Sequence, residues 1–113
     1  MTDYIYENIT VDIQDGIAWT ALNRPEKKNA MNPRLHEEVT DALETLRYDD
    51  DTKVLVVTGA GDSFSAGMDL KEFFIELKSK PAEYDRITRI SIEWRGRTLR
   101  YFPKPTIAMV NGH

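Results

Sequence analysis

Apolar and polar side chains alternate through ITVDIQ and again through IAWTAL, on either side of Asp15-Gly16. That period of two predicts strands at Ile9–Gln14 and Ile17–Leu22, joined by a hairpin, because Asp-Gly accepts the positive φ angles of a two-residue turn. The period then changes. Leu35, Val39, Ala42, Leu43 and Leu46 recur at helical spacing, while Glu37, Glu38, Asp41 and Glu44 face elsewhere. Asn32-Pro33 opens this helix as N-cap and first helical residue, and YDDDT ends it. KVLVVTGAG is a short β-branched run closed by glycines, the pattern of a buried strand. A further helix begins near Asp69 and breaks around Lys80-Pro81. A longer one, roughly Ala82 to Tyr101, carries Ile87, Ile90, Trp94 and Leu99 on one face, and PKPTIAMVNGH starts a buried strand from Thr106 to Val110.

Hairpin, helix, strand, helices, strand is an α/β order, with right-handed crossovers expected between parallel strands. No repeat, low-complexity tract or linker interrupts it. The chain stops three residues after the last strand, at Asn111-Gly112-His113. Strands buried on both faces need more cover than these elements supply. The expectation is a fragment of a larger domain.

Composition narrows the classes. A length of 113 residues suits one small domain, and 41% hydrophobic with 30% charged residues argues against disorder. The net charge of -4 argues against nucleic acid as main partner. Cysteine is absent, so disulfides and thiolate metal sites are excluded. His36 and His113 are too scattered for a zinc site, and His36, among Glu37 and Glu38, reads as a solvated surface residue. MTDYIYENIT lacks the regions of a signal peptide, and runs such as VLVV are too short to span a bilayer. Together these suit a soluble cytoplasmic protein.

The candidate chemistry lies in TGAGDSFSAGMDLKEFF. Gly59 and Gly61 fit two glycines of a dinucleotide-binding loop, but Phe64 occupies the third position and no Walker lysine follows. Ser63 stands where a nucleophile elbow needs glycine, so Ser65 is a poor nucleophile. What the stretch can present is backbone. Ala66 and Gly67 permit close approach, and Asp69 is a suitable N-cap, with Glu72 three residues on as a variant capping box. The Met68 N–H then lies at the positive end of a helix, suited to hold a developing negative oxygen. A tight strand-to-helix turn with a satisfied cap is the plainer reading of the same residues.

LNRPEKKNAMN, VLVVTGAGDSFSAGMDLKEFF and KPTIAMVNG, in this order and spacing, resemble the crotonase (enoyl-CoA hydratase/isomerase) superfamily across nearly the whole chain. The Met-Asp-Leu-Lys-Glu form of the central motif is most similar to the hydroxycinnamoyl-CoA hydratase-lyases. The resemblance implies the N-terminal part of a crotonase-type spiral of ββα units, with residues 1–113 one portion of a single domain. It implies hydration of feruloyl-CoA or 4-coumaroyl-CoA, then cleavage to an aromatic aldehyde, such as vanillin, and acetyl-CoA. Coenzyme A enters as part of the substrate, no cofactor is permanently bound, and neither nucleic acid nor membrane is a partner. The complete protein is expected to form trimers or dimers of trimers.

The resemblance also implies roles. Met68 N–H matches the first oxyanion donor, Ala66 offers backbone groups to the CoA adenine, and Lys27 lies near the CoA, with Lys28 and Arg24 adding attraction to its phosphates. Gly67, Asp69 and Leu70 belong to the same turn. Phe73 stands where the hydratase-lyases have a tyrosine that helps hold the phenolic hydroxyl, which weakens the expected preference for that substrate. The second oxyanion donor, the acid/base glutamate and a second tyrosine fall beyond His113, so the isolated chain is expected to be inactive. Glu72 and Glu76 read as solvated helix charges, and the arginines of RITRISIEWRGRTLR as a helix face or subunit contact. Two alternatives stay open: a generic 2-enoyl-CoA hydratase or isomerase, and a non-catalytic crotonase-like binding protein.

Overall fold

The structure, a computed structural model, describes residues 5–112; His113 and the first four residues of the N-terminal stretch lie outside the described residues. Among the described residues, four strands form one sheet in the order β1-β2-β3-β4. β1 (Ile9–Gln14) and β2 (Ile17–Leu22) pair antiparallel. Asp15 and Gly16 turn between them at φ 51° and 79°, the positive angles that the dipeptide was expected to supply. β3 (Val54–Gly59) pairs parallel with β2, and β4 (Thr106–Ala108) parallel with β3.

α1 (Pro33–Arg47) crosses from β2 to β3. Asn32 caps it, its side chain accepting the Leu35 N–H at 2.9 Å. At the other end the Lys104 ammonium donates to the Leu46 and Asp49 carbonyls at 2.6 and 2.5 Å, a cation placed where the helix dipole is negative. The apolar stripe of α1 (Leu35, Val39, Ala42, Leu43 and Leu46) packs with Ile9, Ala18, Leu22, Leu55 and Val57 of the sheet. Each such leucine is worth about 2 kcal/mol relative to exposure. Glu38 does not face away as expected. It is buried, and its carboxylate accepts the Glu7 and Asn8 N–H groups at 2.7 Å each, tying the segment before β1 to the helix.

α2 (Leu70–Leu77) and α3 (Pro81–Glu93) connect β3 to β4, and the break at Lys80-Pro81 is where the sequence puts it. The longer helix ends sooner than expected, since α3 runs into a π turn at Trp94–Thr98. The Leu99 N–H donates to the Trp94 carbonyl at 3.1 Å, five residues back. That wider turn brings Leu99 to the core beside Trp94, where a regular helix would rotate it away. β4 departs from expectation as well: it is shorter, and all three of its residues are exposed.

Candidate functional site

The glycine loop after β3 and the loop after β2 are built into one another. Pro25–Lys27 form a single 3-10 turn, after which Lys28 and Asn29 take left-handed φ angles of 52° and 57°. Asparagine tolerates that conformation, and the fold uses it to turn the Asn29 side chain inward. Asn29 is fully buried. Its amide donates to the Ala60 and Ser63 carbonyls at 2.9 and 2.7 Å, and its carbonyl accepts the Arg24 N–H at 2.7 Å. Asn111 reaches the same loop from the strand end, donating to the Gly59 and Gly61 carbonyls at 2.8 and 3.0 Å.

The turn at residues 66–69 is fixed mainly through its backbone. Ala66 N–H donates to the Lys28 carbonyl at 2.9 Å, Met31 N–H to Gly67 at 2.7 Å, and Asp69 N–H to Met31 at 2.8 Å. The last two form an isolated parallel bridge between Met31 and Met68. In a parallel bridge the bonds run to the residues flanking the bridged one, so the peptide groups of Met68 point the other way. Among the described residues the Met68 N–H has no hydrogen-bond partner. Gly67, at φ 92°, supplies a conformation that side-chain-bearing residues rarely take. Its N–H donates to the Ser65 hydroxyl at 3.0 Å, so Ser65 serves as a strut rather than a nucleophile.

Asp69 caps α2 as expected, accepting the Glu72 N–H at 3.1 Å. The reciprocal half of a capping box is absent, because Glu72 is engaged elsewhere. Arg24, 5% exposed, donates to Asp69 at 3.1 Å, to Glu72 at 3.0 Å and to the Ala30 carbonyl at 2.6 Å. Glu72 also accepts from the Asn32 amide at 2.8 Å. Two expectations are corrected here. Glu72 is a paired group and not a solvated charge, whereas Glu76 is exposed. Arg24 is consumed by two carboxylates and is not free to attract a phosphate. Burial pushes the Asp69 carboxyl up, but the Glu72 N–H, the Arg24 guanidinium and the charge of Lys27 together hold it below the usual carboxylate range.

The other residues named from sequence spread around this turn. Lys27, Lys28 and Ala66 are exposed, while Gly67, Met68 and Asp69 are half-buried. Leu70 opens α2 with its side chain 68% exposed. Phe73 is buried, its ring edge-on to His36 at 5.8 Å and to Tyr84 at 6.2 Å. Among the described residues no cluster of metal ligands exists, and no helix is long and apolar enough to cross a membrane.

The sequence reading misplaced His36. It is fully buried beneath the turn, not solvated, with Nε2 3.3 Å from the Met68 sulfur and Nδ1 accepting from the Trp94 indole at 3.0 Å. The signal was present in the chain, since His36, Val39, Leu43 and Leu46 share one helical stripe. Trp94 also borders an apolar cavity of about 190 Å³, lined with Leu22, Met31, Val57, Phe64 and Leu99. Met31 thus touches both the cavity and the turn.

Known proteins resemble this chain in sequence and in fold. The chain is 51% identical over 108 residues to the hydroxycinnamoyl-CoA hydratase-lyase of Pseudomonas fluorescens, covering 95% of this chain and 39% of that protein. It is 34% identical over 122 residues to the mitochondrial Delta(3,5)-Delta(2,4)-dienoyl-CoA isomerase of Rattus norvegicus, covering 99% of this chain and 37% of that one. The chain therefore spans about two fifths of the length of these curated relatives. Among solved structures, an enoyl-CoA hydratase/isomerase from Xanthobacter autotrophicus Py2 superposes with a TM-score of 0.82 at 32% identity, over 96% of this chain and 40% of that one. A carnitinyl-CoA dehydratase from Mycobacterium thermoresistibile superposes equally well, with a TM-score of 0.82 at 25% identity, over 94% of this chain and 31% of that one. The sheet and its helices are those of the crotonase fold. With the family's profile matching residues 12–113, the chain belongs to the enoyl-CoA hydratase/isomerase family.

Proposed function

We propose that the full-length protein hydrates hydroxycinnamoyl-CoA thioesters, feruloyl-CoA or 4-coumaroyl-CoA, and cleaves the product to an aromatic aldehyde and acetyl-CoA. The observation that carries this reading is the unpartnered Met68 N–H, aimed away from the bridge to Met31. The 51% identity to a hydratase-lyase favours these substrates over simpler enoyl thioesters.

The thioester carbonyl oxygen accepts the Met68 N–H. Addition of water at the β-carbon moves an electron pair onto that oxygen, and the preorganised donor stabilises the enolate without reorganising. Proton transfer to the α-carbon completes the β-hydroxy thioester. Cleavage reverses the logic: loss of the hydroxyl proton forms the aldehyde, breaks the α–β carbon bond and returns charge to the same oxygen as the enolate of acetyl-CoA, whose α-carbon then takes up a proton to give acetyl-CoA. One oxyanion-hole donor contributes about 2.7–4 kcal/mol of transition-state stabilisation. Glu72 is tied to Arg24 and Asn32 and is not assigned the proton transfers.

Ala66 spends its N–H on Lys28, so its carbonyl is the group left to accept from the adenine amine. The exposed Lys27 and Lys28, directly beside it, attract the CoA phosphates. Gly67, Asp69 and Leu70 shape the turn, and Phe73 supports it from below. The complete protein acts as a trimer or dimer of trimers in the cytoplasm, without a resident cofactor.

The test compares feruloyl-CoA with crotonyl-CoA on the full-length protein. Aldehyde release from feruloyl-CoA supports the lyase. Hydration of crotonyl-CoA without carbon–carbon cleavage of feruloyl-CoA replaces it with a generic hydratase, and turnover of neither replaces it with a binding protein.

A further inference from the structure

A buried imidazole lies directly under the proposed donor, and the chemistry assigned to the turn does not use it. His36 is fully buried on α1, between the Met68 thioether and the Trp94 indole. Indole nitrogen can only donate, so His36 Nδ1 must carry a lone pair. The imidazole proton is thereby forced onto Nε2, the nitrogen 3.3 Å from the Met68 sulfur. We propose that His36 is a positioning residue for the Met68 turn: Trp94 fixes its tautomer, and the Nε2–H group anchors the Met68 side chain, and so holds the position of the Met68 N–H.

Three elements converge on this contact. α1 carries His36, the π turn after α3 begins with Trp94, and the 66–69 turn carries Met68. The Phe73 ring closes the side of the imidazole, edge-on at 5.8 Å. Backbone bonds to Met31 orient the peptides on both sides of Met68, since the Gly67 carbonyl and the Met68 N–H share one plane, and the side-chain contact anchors the residue between them against a shift of the turn as a whole. A sulfur is a weak acceptor, so the contact steers more than it binds. Burial, and then the positive charge of Arg95, push His36 down to about 4, so the tautomer argument holds throughout the neutral range. The π turn gains a purpose from this arrangement, since it sets Trp94 against both His36 and the cavity wall.

The inference rests on the oxyanion reading of Met68, and its test separates the two. In the full-length protein, His36→Leu and Met68→Leu both remove the sulfur–imidazole contact while keeping the backbone N–H. Each is expected to lower kcat about tenfold with KM within about twofold, the pattern of a donor displaced in the transition state. Should His36→Leu fail to fold, Met68→Leu decides alone, because that exchange preserves volume. Unchanged kcat in a folded Met68→Leu protein overturns the proposal. Nitrogen-edited NMR of the imidazole is independent of turnover. It should find Nε2 protonated and Nδ1 bare, and a shift of the Met68 amide resonance in His36→Leu. A protonated Nδ1, or a Met68 amide that does not move, refutes the positioning role even where no thioester is turned over. Inactive wild-type protein with the expected resonances refutes the catalytic reading and leaves His36 as the residue that positions the turn.

Discussion

The side-chain amides of Asn29 and Asn111 grip one glycine loop from its two sides, Asn29 at Ala60 and Ser63, Asn111 at Gly59 and Gly61. The two clamps are not equivalent. Asn29 is fully buried, whereas Asn111 is partly exposed, so water replaces the bonds of Asn111 more readily than those of Asn29. Asn29→Ala orphans two carbonyls and the Arg24 N–H and should cost about 3 kcal/mol, against about 1 kcal/mol for Asn111→Ala. Urea denaturation midpoints of the two variants measure the difference, and equal losses would contradict it.

Arg24 joins the loop after β2 to the start of α2 through Asp69 and Glu72. Arg24→Met strands two carboxylates and is expected to destabilise the protein by about 3 kcal/mol. Arg24→Lys should recover little, because a single ammonium cannot span both acids and the Ala30 carbonyl as the planar fork does. Raising salt to 1 M should leave the loss nearly unchanged, since the pair to Asp69 is shielded from solvent.

His36 makes stability depend on acid. Its folded pKa, lowered to about 4 by burial and then by Arg95, lies below the ordinary value of 6.5. The unfolded chain therefore binds more protons between these values, and stability rises with pH across that window. Falling pH should cost on the order of 3 kcal/mol in total, complete below pH 4. Thermal melts of wild type and His36→Leu at pH 7 and pH 4.5 should show a smaller drop in the variant. Asp69 acts in the same sense at lower pH: its depressed carboxyl supports the fold above its ordinary range, and that support is lost as pH falls through the folded value.

Thr20 lies in the core on β2, and its hydroxyl has no hydrogen-bond partner among the described residues. Thr20→Val keeps the branched shape and removes a buried polar atom, so it should leave stability unchanged or raise it by about 1 kcal/mol. A lowered denaturation midpoint would reveal a partner for that oxygen.

Local chemistry made much of this fold readable. Asp15-Gly16, the Asn32-Pro33 cap, the Asp69 cap and the Pro81 break each depend on neighbours a few residues away. The polar residues that build the site depend on distant partners instead. Arg24 meets Asp69 and Glu72 across more than forty positions, and Glu38 meets Glu7 and Asn8 across about thirty. Charge alone suggests solvent for such residues, and only the folded chain reveals their partners. His36 was the exception, because its place on the apolar stripe of α1 was visible and outweighed by its acidic neighbours. Leu99 was expected on the face of Trp94 and lies there, but the π turn that brings it round was beyond reach, since no local pattern announces the extra residue.

The Met31–Met68 bridge has a practical consequence for mutagenesis. The proposed donor belongs to the main chain, and nineteen of the twenty encoded amino acids would supply the same N–H group at position 68. Alanine scanning therefore reads the sulfur contact and passes over the donor itself. Replacing the amide by an ester at this one residue, through semisynthesis, would delete the hydrogen and spare every side chain.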